Sequence, residues 1–251
     1  MIEAPEKRQS EVIAAMRFPL MVLLLFAHVL PEKSIPIEMN LSGMNIYHLF
    51  SEGISHNLSR IRNPLFFLFS GFFFFRKMEE WSSGFYYGQL KKRIMSLMVP
   101  YLLWNVIMIL AMYIKNYALI YLFSMEPGED LLKFRNTAWH VLFWQTPVNY
   151  PLWFLRDLIC MSVLSPLFYV FFKYLKAYGL LVLTILYLSA WESNVAGLSM
   201  SAFMFFGAGA YMGIYKKRIL EFCSRYRYTV AVTAFLFLCW AIVAIPNRDI
   251  R

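Results

Sequence analysis

The stretch VIAAMRFPLMVLLLFAHVL, residues 12–30, decides the class of fold. It is an apolar run that contains two ionisable side chains, Arg17 and His28. The hydrocarbon core of a bilayer is about 30 Å thick, and a helix of about 20 mostly apolar residues crosses it. The stretch therefore has the length and composition of a membrane-spanning helix.

Six further apolar windows follow along the chain. Hydrophobic residues make up 60% of the sequence and charged residues 16%, and the mean hydropathy is +0.53, which is too apolar for a soluble protein with one core. We predict an all-α bundle of seven transmembrane helices, with residues 1–251 forming one membrane-embedded domain. The six windows are residues 62–75, 97–123, 151–172, 178–190, 198–215 and 229–245.

Lysine and arginine are distributed unevenly among the segments that join these windows. Short cytoplasmic loops of membrane proteins carry an excess of both residues. We therefore predict a cytoplasmic N-terminus, with residues 31–61, 124–150 and 191–197 on the external side. The net charge of +9 then reflects this topology and attraction to lipid headgroups rather than nucleic-acid binding. The cationic segments contain Arg76, Lys77, Lys91, Lys92, Arg93, Lys173, Lys176, Lys216, Lys217, Arg218, Arg225 and Arg227.

Arg17 and His28 occupy one face of the first predicted helix. Eleven residues at about 100° each bring the two positions to within about 20° of each other, and the helical rise separates them by about 16 Å. In the predicted orientation Arg17 lies towards the cytoplasm and His28 towards the external end. Arginine can neutralise a polar or anionic donor group, and histidine can take a proton from a hydroxyl group near neutral pH. Snorkelling of the arginine and an interfacial position of the histidine are the simpler alternatives.

The second window opens with Arg62 and contains the small pair Ser70 and Gly71. Small residues allow two helices to approach closely, so we expect this pair to serve packing. Arg62 lies near the predicted external end, where it can serve a reacting centre or snorkel to lipid phosphates.

The fourth window carries Trp153, Arg156 and Asp157 just inside its external edge. Neighbouring residues of a helix point about 100° apart, so Arg156 and Asp157 need not pair, and one of them can face a cavity. We assign Trp153 and Trp144 to an aromatic belt at the membrane surface rather than to a sugar-stacking site.

Other motifs that carry chemistry are missing from the sequence. It contains no HExxH, GxSxG, P-loop or dinucleotide-binding glycine motif. Cys160, Cys223 and Cys239 have neither metal-binding nor disulfide spacing. We therefore predict no metal and no bound cofactor.

Four segments resemble, in order, the motifs of the acyltransferase-3 family of membrane proteins, which O-acetylate polysaccharides and related envelope molecules. Arg17 and His28 match its arginine, ten residues, histidine motif, and RNPLFFLFSGFFF from Arg62 resembles its R-x-x-P-x-F-F-x-x-S-G-[FY] segment. KKRIMSLMVPYLLWN from Lys91 resembles its basic segment before a proline and an aromatic residue, and PLWFLRDLI from Pro151 resembles its W-F-L motif. The resemblance covers about residues 11–215.

The resemblance implies an O-acyltransferase of the bacterial inner membrane. It implies acetyl-CoA or another acyl-CoA as co-substrate and a hydroxyl of an envelope glycan as acceptor. It also implies that His28 is the catalytic base, that Arg17 and Arg62 supply supporting positive charge, and that the phosphates of CoA meet Lys91, Lys92 and Arg93. The expected structural residues of the motifs are Ser70, Gly71, Trp153 and Arg156.

Two other functions remain open at this point. Intramembrane arginine and histidine also occur in transporters, so an exporter of a small envelope precursor is one alternative. A non-catalytic membrane scaffold is the other. Members of the family usually have more than seven spans, so we expect the last helices of the family to be missing from this sequence.

Overall fold

The computed structural model describes residues 4–29, 61–189, 195–217, 221 and 224–243. All regular secondary structure in these ranges is helical, which confirms that the fold is all-α. The chain divides into two compact units, one made of Met1–Phe69 and Tyr215–Arg251 and the other of Ser70–Ile214. In chain order the helices are α1 (Ala4–Ala15), α2 (Arg17–Val29), α3 (Arg62–Phe75), α4 (Ser83–Arg93), α5 (Val99–Tyr121), α6 (Glu129–Asn136), α7 (Trp153–Val163), α8 (Ser165–Leu188), α9 (Met200–Ile214) and α10 (Arg227–Val243).

In the first unit the predicted first span is helical but divided. A turn at Met16 separates α1 from α2. Pro19 accounts for the break, because proline has no N–H to donate to the carbonyl of Ala15 and its ring crowds that carbonyl. The helical stretch begins at Ala4, before the predicted start at residue 12, since the polar residues there hid it from a search for apolar windows.

In the second unit α4 and α5 form one continuous helix over Ser83–Tyr121, joined by a π-helical turn at Ile94–Met98. The Ser82 hydroxyl caps its start by accepting the N–H of Phe85 at 3.1 Å. The widened turn comes just before Pro100, whose missing N–H already interrupts the helical hydrogen-bond pattern. The predicted start at residue 97 is therefore wrong, and the lysines and arginine of residues 91–93 lie in a helix rather than in a loop.

The fourth predicted window, residues 151–172, covers α7 and the first part of α8 and is divided at Leu164, and the fifth window begins within the rest of α8. α8 begins with Pro166 in its first turn, where a missing N–H costs no helical hydrogen bond. Lys176 interrupts α8 with a φ of 47° and a ψ of −128°, so the predicted break between residues 172 and 178 is a kink at this lysine.

Aromatic and small side chains form the core of the second unit. Phe74, Phe75, Phe172 and Phe206 are fully buried, and α9 packs closely against α8 through its small residues. Among the described residues, the helices over Ser83–Tyr121 and Ser165–Leu188 are long and apolar enough to cross a membrane, and Met200–Ile214 is a shorter apolar helix. The seven spans and their orientation remain predictions.

Candidate functional site

Helix α2 carries the first predicted pair of site residues. One α-helix runs over Arg17–Val29, so the helical spacing assumed for Arg17 and His28 is correct for the backbone. Arg17 is the first residue of this helix, and its side chain is exposed. The side chain of His28 lies outside the described part of the chain. A shared face for the two side chains therefore stays a prediction.

Arg62 is the first residue of α3, which has the bounds that the sequence predicted. Its side chain is partly buried. Pro64 lies in the first turn, where its fixed φ angle suits a helix and its missing N–H costs nothing. The motif that begins at Arg62 thus starts a helix.

Arg93 and Ser70 join two of the sequence motifs. The Arg93 guanidinium donates from Nη1 to the Ser70 hydroxyl at 2.9 Å and from Nη2 to the Ser70 carbonyl oxygen at 3.0 Å. Its Cζ also lies 6.0 Å from the centre of the Phe74 ring. Arg93, predicted as a donor-binding residue, therefore ties α4 to α3.

Gly71 lies where α3 crosses α9. A Cβ atom at this position would collide with the Phe206 carbonyl oxygen and lie 2.9 Å from the Ala210 nitrogen. Both obstacles are backbone atoms, which cannot turn aside as a flexible side chain can. The Ser70 and Gly71 pair thus has two separate packing roles, since the serine binds Arg93 and the glycine allows the crossing.

Lys91 and Lys92 differ from their neighbour Arg93. Both lie in the last turn of α4 and are exposed. A cation in the last turn interacts favourably with the negative end of the helix dipole. Of the three predicted donor-binding residues, these two present their charge to the surroundings.

Arg156 and Asp157 form a buried ion pair in α7. Arg156 is 7% exposed and Asp157 is 0% exposed. The guanidinium donates from Nε at 3.1 Å and from Nη2 at 2.9 Å, and both bonds end on the same carboxylate oxygen, Oδ1. The second oxygen, Oδ2, is buried and accepts no hydrogen bond from the described residues. Although the two positions point apart on the helix, the long arginine side chain reaches its neighbour.

The remaining guanidinium nitrogen of Arg156 binds the segment between α6 and α7. Nη1 donates to the carbonyl oxygen of Trp144 at 2.7 Å and to that of Gln145 at 2.9 Å. Both residues belong to a π-helical turn, Val141–Gln145. Arg156 thus fixes this turn against α7.

The whole chain segment between α5 and α7, which includes α6, packs along α5. Buried amides hold it there, because Oδ1 of Asn116 accepts the Gly128 N–H at 2.6 Å and Oδ1 of Asn105 accepts the Asn149 N–H at 3.1 Å. The Tyr101 hydroxyl donates to the Phe143 carbonyl oxygen. These contacts extend along α5 from position 116 back to position 101, a distance of about 22 Å along the helix. The segment that was predicted to be an external loop therefore folds back along α5.

The Arg156 and Asp157 pair, together with Trp144 and Gln145, borders a cavity of about 620 Å³. Gly197, in its wall, has a φ of 94°, and a Cβ atom there would lie 2.5 Å from the sulfur of Cys160. Only glycine meets both conditions without strain. The lining residues are Trp144, Gln145, Trp153, Arg156, Asp157, Val195, Ala196, Gly197 and Ser199.

The sequence singled out Trp153 and Arg156 as structural residues of the motif, and it left open whether Arg156 or Asp157 faces a cavity. It assigned both Trp153 and Trp144 to an aromatic belt, but both line this cavity. Trp144 lies beside the cavity because Arg156 holds its backbone carbonyl. A signal was present in the adjacent Arg156 and Asp157, since two charges in an apolar helix need partners. No group of three metal-ligating side chains converges in the ranges that the structure covers.

Comparison with known proteins decides the family. The sequence model of the acyltransferase-3 family, described as an acyltransferase domain, matches residues 12–248. The chain belongs to the acyltransferase-3 family. This confirms the resemblance seen in the four sequence motifs. No curated protein and no solved structure matches the chain.

Membership of the acyltransferase-3 family gives the general class of activity and of location. The chain carries an acyltransferase domain over nearly its whole length. The family is membrane-associated, in agreement with the long apolar helices over Ser83–Tyr121 and Ser165–Leu188. The acyl donor, the acceptor and the residues that carry out the transfer belong to the proposals that follow.

Proposed function

We propose that this protein transfers an acyl group, with acetyl as the first candidate, from a cytoplasmic acyl-CoA to a hydroxyl group of an envelope or exported glycan. The observation that carries the proposal is the family match over residues 12–248, together with the four motifs in their expected order. The protein lies in the bacterial inner membrane as a multi-pass protein, in contact with lipid. The acyl-CoA is a co-substrate, and no bound cofactor takes part.

The orientation of the two substrates follows from the distribution of positive charge. The cationic segments face the cytoplasm, so the N-terminus and the Arg17 end of α2 are on the donor side. Position 28 then lies about 16 Å further along the helix, towards the acceptor side. An acyl-CoA that enters from the cytoplasm and extends its thioester along α2 would therefore meet, near position 28, an acceptor that enters from the external side.

His28 is the proposed catalytic base. Its imidazole takes the proton of the acceptor hydroxyl while the hydroxyl oxygen attacks the thioester carbonyl carbon. The bond from that carbon to sulfur then breaks, an ester forms, and the departing CoA sulfur receives the proton from the imidazolium. Histidine suits both proton transfers because its pKa ordinarily lies near neutral pH.

Arg17 and Arg62 are the proposed supporting charges. A guanidinium stays protonated at neutral pH and stabilises negative charge that develops on the thioester oxygen during attack. Loss of either arginine should slow the chemical step or weaken donor binding, without removing the base. Their effects on kcat and on the KM for acyl-CoA separate these two roles.

On the donor side, exposed Lys91 and Lys92 are the proposed partners of the CoA phosphates. Arg93 belongs to the same predicted set, but its guanidinium already binds Ser70. We therefore expect neutralisation of Lys91 and Lys92 to raise the KM for acyl-CoA, and substitution of Arg93 to affect chiefly the stability of the protein.

The test is acyl transfer in inverted inner-membrane vesicles that contain the protein. Radiolabelled acetyl-CoA is added outside the vesicles, at the former cytoplasmic face, and label is measured in the glycan fraction. The proposal predicts label that depends on the protein and on acyl-CoA. An exporter would instead move unlabelled precursor without breaking the thioester, so protein-dependent transport with no CoA release would contradict the proposal.

A further inference from the structure

We infer that the cavity beside α7 binds a neutral, hydroxyl-rich ligand, a sugar ring. The inference rests on the proposed function in one respect, since such a ring would be part of the acceptor glycan. The observations that lead to it concern the second unit alone. They are the size of the cavity, its two tryptophans and the unequal bonding of the Arg156 and Asp157 pair.

The cavity has the size of a small-molecule site. Its volume of about 620 Å³ falls within the range of about 300–1,000 Å³ that is common for ligand pockets. Its lining combines two indole rings with an amide, a hydroxyl and an ion pair. Such a mixture suits a ligand that has both apolar C–H faces and hydroxyl groups.

One carboxylate oxygen of Asp157, Oδ2, has no hydrogen-bond donor among the described residues. Both bonds from Arg156 end on Oδ1, while Oδ2 is buried and accepts nothing from the described residues. A buried carboxylate oxygen without a donor is costly, by about 1–3 kcal/mol or more. Asp157 lies in the wall of the cavity, so a ligand hydroxyl group that enters this wall would supply the missing donor.

The charge of the pair argues for a neutral ligand. The positive charge of Arg156 balances the negative charge of Asp157, so neither a free cation nor a free anion finds an uncompensated partner there. All three guanidinium nitrogens already donate, to Asp157 and to two backbone carbonyls. These bonds use four of the five N–H groups, so a phosphate or carboxylate could form the usual pair of parallel hydrogen bonds only by displacing one of them, whereas a single hydroxyl group displaces none.

The other lining groups match the same ligand. Trp144 and Trp153 offer indole faces against which the C–H groups of a sugar ring can pack. The amide of Gln145 can both donate and accept. The Ser199 hydroxyl accepts the Ala202 N–H at 3.3 Å at the start of α9 and keeps its own proton to donate.

The experiment measures sugar binding in the absence of acyl-CoA. The full chain in detergent micelles is titrated with methyl glucoside and with methyl N-acetylglucosaminide, and saturation-transfer NMR detects the bound ring protons. We expect Trp153→Ala and Trp144→Ala to weaken binding by about tenfold or more, and Gln145→Ala to weaken it to a smaller extent. Trp104→Ala is the matched control, because Trp104 is 52% exposed on α5 and does not line the cavity.

Several results would overturn the inference. One is failure of both glycosides to bind, and another is an equal loss of binding in the Trp104→Ala protein. A third is binding of tetramethylammonium or inorganic phosphate in preference to the glycosides. A fourth result concerns the Asp157→Asn protein. If this variant folds and binds the glycosides as tightly as the wild type does, a buried water rather than a ligand satisfies Asp157, and the assignment is wrong. The Trp144 and Gln145 variants leave the ion pair intact, so the test does not depend on Asp157→Asn folding.

The same variants separate this inference from the proposed function. If vesicles transfer label but Trp153→Ala leaves the KM for the acceptor unchanged, the inference fails and acyl transfer stands. If the glycosides bind through Trp144 and Trp153 but no label is transferred, the binding site stands and the proposed function fails.

Discussion

Arg93 and Arg156 are both arginines in apolar helices of the second unit, but their surroundings differ. Arg93 binds an uncharged serine and donates to the hydroxyl and carbonyl oxygens of Ser70. Arg156 binds a carboxylate of which one oxygen has no donor among the described residues. The first arrangement is closed and holds two helices together. The second is open in the sense that one carboxylate oxygen lacks a donor, and it lies in the wall of a cavity. The presence of an arginine in an apolar helix therefore does not by itself identify a site.

The largest effect on stability is expected at the open pair. Arg156→Leu leaves the Asp157 carboxylate buried without a counter-charge, which should lower the free energy of unfolding by about 3–5 kcal/mol. Replacing both residues with leucine removes the buried charge and should restore much of that loss. Denaturant unfolding in micelles measures both. If the single variant is as stable as the wild type, Asp157 is not held in the way described here.

A smaller effect is expected at the closed pair. Arg93→Leu removes the two hydrogen bonds that its charged guanidinium donates to the neutral hydroxyl and carbonyl oxygens of Ser70, and the loss of these bonds should cost about 1.5–3 kcal/mol. Ser70→Ala should cost less, because the carbonyl bond remains. A double-mutant cycle between positions 93 and 70 should show a clear coupling energy. Additive losses would mean that the two residues do not act together.

The smallest effect on stability is expected at an exposed ion pair, Lys115 and Asp130. Lys115 donates to Asp130 at 2.6 Å, and this hydrogen bond, together with the lysine's charge, lowers the pKa of the Asp130 carboxyl below its ordinary value. The side chains are 54% and 41% exposed, so the pair should contribute less than about 1 kcal/mol.

The pH dependence of this contribution has a definite sign. Because the folded-state pKa of Asp130 is lowered, the stabilisation is present above the unfolded-state pKa of about 3.9 and is lost as the pH falls through the folded-state value. The stability difference between wild type and Asp130→Asn should therefore be measurable at neutral pH and vanish in acid. A difference that grows as the pH falls would contradict the assignment.

The fold was largely predictable because apolar windows are a strong signal. Residues 62–75 were predicted with the bounds of α3, and each of the other windows overlaps a helix in the described part of the chain. The start of the helix at Ser83 was missed, since its first turns contain polar and cationic residues and begin with a serine cap rather than an apolar run. The kink at Lys176 was placed between two windows but not recognised as part of one interrupted helix.

The site was less predictable because it depends on contacts between distant parts of the chain. Nothing local in the sequence shows that Asn105 and Asn116 hold a segment against α5, or that Arg156 binds the carbonyl of Trp144. Tryptophans near the ends of apolar windows usually mark a membrane surface. Trp144 and Trp153 were therefore predicted to lie in an aromatic belt. The family motif, by contrast, named His28 and Arg17 directly from their spacing.

The measurement that tests the central claim most directly is acyl transfer by the His28→Ala protein. Wild-type and variant proteins are compared in the vesicle assay at equal protein levels, with binding of a non-reactive CoA thioether measured alongside. The account predicts loss of transfer with binding of the CoA analogue retained, because a base acts in the chemical step and does not hold the donor. Near-normal turnover by a His28→Ala protein that is folded and binds the analogue would contradict it.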